Sequence, residues 1–196
     1  MCLHPPERPV SSQSLGLIGL DRFVLTHHPT PTAQRYEIRA VTADGGEGPV
    51  LAAGQQQRHP VGDKVTFFAD DTHRHPVFSF RHRPQAGASS AYDVLDAGGR
   101  PIGQLRREVG PAAGASTWHV EADGVRARAE QRVAGLLSRL RAGARVASLD
   151  VVDAQGRAVM CSERQRGTDR CVVTVLDARL DARVAAALVV ALDALR

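Results

Sequence analysis

Two hydrophobic patterns run along this chain: a long series of short alternating segments, and one final segment that is apolar on every side. In the final segment, residues 180–196 (LDARVAAALVVALDALR), no polar side chain occurs from 184 to 192. A helix with this pattern normally lies inside a protein core. About sixteen helical residues rise about 24 Å, less than the roughly 30 Å of a bilayer core, so we predict a buried helix and no transmembrane span. Asp177 or Asp181 is predicted to cap its start.

The alternating segments are joined in pairs by turns that contain Asp or Gly. Glycine adopts positive φ at little steric cost and aspartate bonds to the local backbone, so such turns predict β-hairpins. Four turns of this style occur, at 44–46, 97–99, 123–124 and 154–156. Further strands are predicted at 22–26, 64–71, 75–83 and 171–177. The chain therefore contains about a dozen strands.

A sheet of about twelve short antiparallel strands has exposed edges unless it closes or splits into a sandwich. A sandwich has no slot for a helix that is apolar all round, whereas a closed barrel holds one along its axis. We therefore predict a mainly β fold, a closed antiparallel barrel of about twelve strands around a central hydrophobic C-terminal helix. Residues 1–20, rich in Pro and Ser, are predicted to form a flexible tail, and residues 21–196 one barrel domain.

One internal segment, 129–141, departs from the alternation. Val133, Leu136, Leu137 and Leu140 recur there at helical spacing. We predict a helix that covers one end or side of the sheet. A more specific alternative is that the basic face of this helix contacts a membrane surface.

Composition narrows the class of protein. A length of 196 residues fits a single domain, and 43% hydrophobic content with only 4% aromatic content indicates a core of Val, Leu, Ile and Ala. The net charge of +4 comes from arginine, because Lys64 is the only lysine. No basic segment followed by an apolar run opens the chain, so we expect a cytoplasmic protein. Three cysteines do not make a disulfide framework.

Six segments of the chain form a recognisable series. They are YEIR at 36–39, HPVFSFR at 75–81, YDVLDAGGRPIGQL at 92–105, WHVEADG at 118–124, SLDVVDAQGR at 148–157 and the terminal helix. Their order over residues 23–196 resembles the Tubby C-terminal-like superfamily, which includes the scramblases and the LURP-one-related proteins. The resemblance implies a twelve-stranded barrel around a C-terminal helix. It also implies an anionic ligand in general terms, because Tubby proteins bind phosphoinositides through basic residues.

One departure from the scramblases concerns calcium. The segment before the final helix, RQRGTDRCVVTVLDARLD, is too poor in acidic ligands to form an oxygen cage for that ion. Calcium-dependent lipid scrambling is therefore not expected, and no cofactor is predicted.

The arginines suggest a candidate ligand face. The candidates for this face lie at alternate positions of one strand or on neighbouring hairpins. They are Arg81, Arg83, Arg106, Arg107, Arg126, Arg128 and Arg132. The planar guanidinium suits phosphate, although such a stripe is also the ordinary solvated side of a barrel. The leading hypothesis is a non-enzymatic barrel that binds an anionic phospholipid headgroup, another phosphorylated ligand or a protein partner, cytoplasmic or peripheral at a membrane. Few aromatic residues and a modest charge argue against nucleic acid.

Two alternatives remain open at this point. His73 and His75 form an H-x-H pair whose side chains point the same way on a strand, so a metal protein or enzyme is one alternative. A purely structural or protein-interaction domain is the other. The chain has no G-x-S-x-G, Walker or C-x-x-C motif. Cys161 and Cys171 flank a turn near Gly167, so we expect them opposite each other as two packed thiols or as a redox pair.

Overall fold

The structure, a computed structural model, describes residues 16–42, 44–57, 64–70, 72–83, 89–110, 116–130, 148–165 and 167–194. In these ranges the alternating segments form twelve strands. They are β1 (Arg22–Pro29), β2 (Ala33–Val41), β3 (Glu47–Gln57), β4 (Lys64–Phe68), β5 (Pro76–Arg83), β6 (Ser90–Asp96), β7 (Pro101–Val109), β8 (Ser116–Ala122), β9 (Val125–Glu130), β10 (Ser148–Asp153), β11 (Ala158–Arg164) and β12 (Arg170–Val175).

The strands form one closed sheet. Each strand pairs antiparallel with its neighbours in sequence, and β1 also pairs with β12, where Phe23 lies opposite Val173. The ring therefore has no unpaired edge, which removes the template that an open sheet offers to other chains. The predicted closed antiparallel barrel is confirmed.

The predicted turn chemistry is present in the hairpins. In the β10–β11 turn, Gly156 has a φ of 78°, and the side chain of Asp153 accepts hydrogen bonds from the N–H groups of Gln155 and Arg157, both at 2.9 Å. Aspartate thus closes the turn with its side chain, which accepts from the backbone of the residues that follow, and glycine takes the left-handed conformation at little cost. These short turns place consecutive strands side by side in strict sequence order.

The interior of the barrel is filled by a helix, α1 (Ala182–Ala194). Its residues from 184 to 192 are buried on every side, and it packs against β5, β6, β7 and β12. Asp181 is the N-terminal cap, because its Oδ1 accepts the N–H of Arg183 at 2.8 Å. The prediction of a central hydrophobic C-terminal helix is therefore confirmed. Within the described residues, no helix is both long and apolar enough to cross a membrane.

Two boundaries differ from the sequence-based expectation. Ala129, where the internal helix was expected to begin, lies in strand β9 because it continues the inward alternation of Val125 and Ala127. The rest of that expected helix, 131–141, lies outside the described residues. Leu17, inside the predicted tail of residues 1–20, is fully buried in the core cluster. The packed part of the chain therefore begins before residue 21.

Candidate functional site

Five of the candidate arginines lie on the outer surface of the barrel, on alternate strands of the β5–β9 sheet. We call this surface the basic face, and its arginines are Arg81, Arg83, Arg106, Arg126 and Arg128. Side chains at directly opposite positions of antiparallel strands project from the same side of the sheet. The register of β5 to β9 therefore arranges the basic face in two rows that run across the strands.

The first row contains two arginines and two carboxylates, with Gln104 between the carboxylates. Arg81 lies opposite Asp93, Asp93 opposite Gln104, Gln104 opposite Glu121, and Glu121 opposite Arg126. Asp93 is buried although it faces outward. Its two oxygens accept hydrogen bonds from the Arg83 side chain at 2.6 and 3.2 Å, and Gln104 approaches it at 3.5 Å. This row is therefore a largely compensated ionic network.

The second row is basic. Arg83 lies opposite Ala91, Ala91 opposite Arg106, Arg106 opposite His119, and His119 opposite Arg128. It contains no carboxylate at any of these five positions. Arg106, His119 and Arg128 thus occupy consecutive places on three neighbouring strands.

A single carboxylate from outside the second row contacts two of its members. Glu108 lies 3.0 Å from a guanidinium nitrogen of Arg106 and 3.1 Å from Nε2 of His119. In the first row, Glu121 lies 3.4 Å from Arg126, whose side chain is 84% exposed. Among the described side chains, the basic face carries five arginines and three carboxylates, Asp93, Glu108 and Glu121.

Two depressions border the basic face. A groove of about 1150 Å³ is lined by Arg83, Asp93, Glu121 and Arg126 and continues over the rim of the barrel to the start of α1. A second depression, of about 670 Å³, is lined by His119, Arg126 and Arg128 and by the β10–β11 turn. Arg126 lies between the two, so the basic face has concave surface on both sides.

Two of the seven predicted arginines do not belong to this face. Arg107 follows Arg106 directly in β7 and therefore projects to the other side of the sheet, into the barrel, opposite Ser90 and Trp118. The sequence prediction that grouped Arg106 with Arg107 was wrong, because adjacent strand residues cannot share a face. Arg132 lies outside the described residues.

The histidine pair lies in the β4–β5 loop. His73 has a φ of 57° and stacks on Phe68 with 4.7 Å between ring centroids, and His75 bonds to Asp70 through Nδ1. The two rings therefore have separate partners. Among the described residues, no group of three or more His, Cys, Asp or Glu side chains is arranged to hold a metal ion.

The two thiols do not meet. Cys171 lies opposite Arg164, and Cys161 lies opposite Thr174 on the outer side of the same pair of strands. The expectation that the two thiols lie opposite each other was wrong. The loop between Gln165 and Arg170 shifts the pairing of β11 with β12 by an odd number of residues, so the two side chains lie on opposite sides of the sheet. Cys171 is buried, and burial raises the pKa of its thiol. Both cysteines are free.

A polar cluster that sequence reasoning missed lies at the C-terminal end of α1. Asp193 of the helix lies 2.9 Å from Arg164 and 2.6 Å from Nδ1 of His27. The side chains of Asp193 and Arg164 are only 8% and 12% exposed. The ring of His27 stacks on Tyr36 at 4.9 Å. The cluster fixes the end of the helix to β1 and β11. Its only sign in the sequence is that His27 and Arg164 fall at strand positions whose side chains point into the barrel.

A scan against protein-family models finds no match for this chain, and a search of curated proteins finds none either. Among solved structures, it is similar to a protein from Arabidopsis thaliana at 14% identity and a TM-score of 0.48, covering 91% of this chain and 94% of that chain. A porin-like protein from Bacteroides uniformis matches at 7% identity and a TM-score of 0.28, covering 79% of this chain and 96% of that chain. Neither likeness carries information on function.

Proposed function

We propose that this chain is a non-enzymatic barrel protein that binds a phosphate-bearing anion on its basic face. The observation that carries the proposal is the second row, in which Arg106, His119 and Arg128 occupy opposite positions on β7, β8 and β9. The resemblance of the sequence phrases to Tubby C-terminal-like proteins supports the same ligand class.

The spacing of the row suits a phosphate group. Neighbouring strands lie about 4.8 Å apart, so three consecutive positions span about 10 Å. A guanidinium group presents a planar fork that donates two parallel hydrogen bonds to phosphate oxygens. Two such forks, from Arg106 and Arg128 on either side of His119, can therefore hold one phosphate group or two adjacent ones.

The bound state requires the arginines of the second row to exchange the partners that they have in the free protein. In the free protein Arg106 contacts Glu108, and both side chains are 48% exposed. Ion pairs this exposed contribute about 0 to 1 kcal/mol, so a phosphate group can replace Glu108 at small cost. The groove and the depression beside Arg126 give room for the rest of the ligand.

The filled interior supports a site on the outside. The residues of α1 from 184 to 192 are buried on every side, so the helix occupies the axis of the barrel. Two sources present the same chemistry to the basic face: a phospholipid headgroup and a soluble phosphate ester. The lipid form of the proposal places the protein at the cytoplasmic surface of a membrane.

Vesicle flotation at low salt tests this function. We expect the protein to float with vesicles that contain phosphatidylinositol phosphates, and to be released by added salt because the contacts are ionic. The double variant Arg106→Gln/Arg128→Gln should lose most of this binding. The matched control, Arg22→Gln/Arg35→Gln, removes the same charge from exposed positions on β1 and β2 and should bind like the parent protein.

Titration with soluble inositol trisphosphate separates the two ligand sources. Binding of the soluble ester without flotation assigns the basic face to a soluble ligand. Equal loss of binding in both double variants would show that binding depends only on net charge. Absence of both vesicle binding and binding of the soluble ester would refute the proposal.

A further inference from the structure

The large groove beside the basic face has two parts of different character. Its outer part holds Arg83 and Arg126 and belongs to the basic face. Its other part lies at the rim of the barrel where α1 begins, and we call it the rim section. The side chains that define the rim section are apolar or acidic: Ile18, Leu20, Asp21, Ile102, Asp123 and Leu176. A phosphate ligand on the basic face does not account for side chains of this kind.

Two apolar side chains of the rim section are exposed to solvent. Ile18 is 73% exposed and Leu176 is 53% exposed, the two highest values among the large hydrophobic residues that the structure describes. Leu20 and Ile102 are partly buried against the core and continue the same apolar lining. Single exposed hydrophobic residues are ordinary, but several along one groove are typical of an interaction surface.

The backbone holds both exposed side chains in place. Leu17 is fully buried, and its carbonyl accepts the N–H of Leu20 at 3.3 Å, which closes a turn with Ile18 at its tip. On the other side, the N–H of Leu176 donates to the carbonyl of Val159 at 2.9 Å. The apolar surface is therefore presented on anchored backbone, so a partner can bind it without first ordering the chain.

Two aspartates of the rim section are exposed as well. Asp21 precedes β1, and Asp123 lies in the turn between β8 and β9. Within the described ranges, neither carboxylate takes part in an ion pair. Both carboxylates are therefore accessible to a cation that a ligand brings.

The nearby arginines do not neutralise these two aspartates. Arg179 donates to Asp177 at 2.7 and 3.0 Å, and Arg183 lies 2.6 Å from Asp181. Each arginine thus has a carboxylate of its own, and the two exposed aspartates remain as an excess of negative charge. The whole chain carries a net charge of +4, so this negative section differs from the average surface of the protein.

We propose that the rim section binds a basic and apolar peptide segment of a partner protein, separately from the ligand of the basic face. Lysine or arginine side chains of the segment pair with Asp21 and Asp123, and its aliphatic side chains cover Ile18 and Leu176. Charge complementarity selects this partner, because an acidic segment would bring like charges together. Side chains as exposed as Ile18 and Leu176 do not enclose a small molecule, so an extended segment fits the rim section better.

Fluorescence anisotropy with short labelled peptides tests this site. The probe is a peptide of alternating leucine and lysine that carries a neutral dye. We expect it to bind in a saturable manner. A peptide of alternating alanine and lysine should bind about tenfold more weakly, because it buries less apolar surface. A peptide of alternating leucine and glutamate should not bind, because its charge is reversed.

Substitution of the two aspartates tests the ionic part of the contact. Asp21→Asn/Asp123→Asn should weaken binding of the leucine–lysine peptide about tenfold, because it removes both carboxylates while keeping the size of the side chains. The matched control is Asp150→Asn/Glu163→Gln, which removes the same charge from exposed positions on β10 and β11. The control variant should bind like the parent protein.

Substitution of the two exposed hydrophobic residues tests the apolar part. Ile18→Gln/Leu176→Gln should weaken binding about tenfold or more, because it removes the surface that the leucine side chains cover. Val50→Gln/Val109→Gln changes two other exposed hydrophobic residues outside the groove and should leave binding unchanged. All substituted side chains are exposed, so thermal unfolding of the four variants should match that of the parent protein.

Every outcome bears on the proposal. Equal effects of a test variant and its control, equal binding of the lysine and glutamate peptides, or no saturable binding would overturn it. Dimerisation that Ile18→Gln/Leu176→Gln abolishes, measured by analytical ultracentrifugation, would overturn it in favour of a second copy of this chain. No variant in this experiment changes Arg106 or Arg128, so its failure leaves vesicle binding through the basic face untouched.

Discussion

Gly103 of β7 lies directly against Val184 of α1. A Cβ atom on Gly103 would stand 2.7 Å from Cγ2 of Val184 and 3.2 Å from the carbonyl oxygen of Glu121. At this point the barrel wall approaches the helix with its backbone alone. The helix therefore fits against the barrel wall at this point because residue 103 has no side chain.

Substitution of Gly103 by alanine should destabilise the protein by about 1 to 3 kcal/mol, because the added methyl group overpacks a rigid contact. Denaturant unfolding followed by circular dichroism measures the change. Gly98→Ala is the control, since its methyl group would meet only Asp96 Oδ1, at 3.3 Å. The double variant Gly103→Ala/Val184→Ala should be more stable than the sum of the single effects predicts. Simple additivity would contradict the direct contact.

Removal of the helix should abolish the fold. A chain that ends before Val184 leaves the inward side chains of twelve strands without their core, and the free energy of unfolding of a domain is only about 5 to 15 kcal/mol. Size-exclusion chromatography and thermal unfolding check this expectation, with a chain that ends at Ala194 as the control. A truncated protein that is monomeric and unfolds cooperatively would refute the central role of α1.

The end of the helix should depend on its ion pairs. Asp193→Asn leaves Arg164 buried without its nearest charge partner, and breaking a buried pair costs about 3 to 5 kcal/mol. Glu121→Gln, which breaks an exposed pair with Arg126, should cost less than about 1 kcal/mol. Thermal unfolding of both variants provides the comparison. Similar losses of stability in Asp193→Asn and Glu121→Gln would show that the Asp193 cluster is not a buried ionic contact.

The turn before the helix should titrate at low pH. The Arg179 side chain, followed by the Arg179 backbone N–H, lowers the pKa of Asp177 from 3.8 to about 2. Because the folded pKa is below the unfolded value, the stabilisation is complete above pH 3.8 and is lost as the pH falls towards 2. Carbon NMR of the Asp177 carboxyl measures this pKa. Arg179→Gln should move it back towards 3.8, and an unchanged pKa would exclude the guanidinium as its cause.

The sequence predicts the wall and the helix of this barrel because both depend on local patterns. Alternation gives the strands, Asp and Gly give the turns, and the helix around 184–192 requires a closed surface around it. The same alternation also separates Arg106 from Arg107. The positions of both residues on opposite sides of the sheet were therefore readable before the structure.

Other features depend on register and long-range contacts. The offset between Cys161 and Cys171 arises from the length and conformation of the β11–β12 loop, which composition does not determine. The contact of His27 with Asp193 joins the first strand to the end of the last helix. No local pattern connects residues so far apart, and only closure of the ring brings them together.

Pairing of β1 with β12 has a consequence for synthesis of the protein. During translation, β1 emerges early and its second neighbour emerges only after ten other strands, with the helix later still. Contacts this distant in sequence slow folding, and they expose strand edges while they are incomplete. The nascent chain must therefore carry an unsealed, coreless sheet until α1 has left the ribosome.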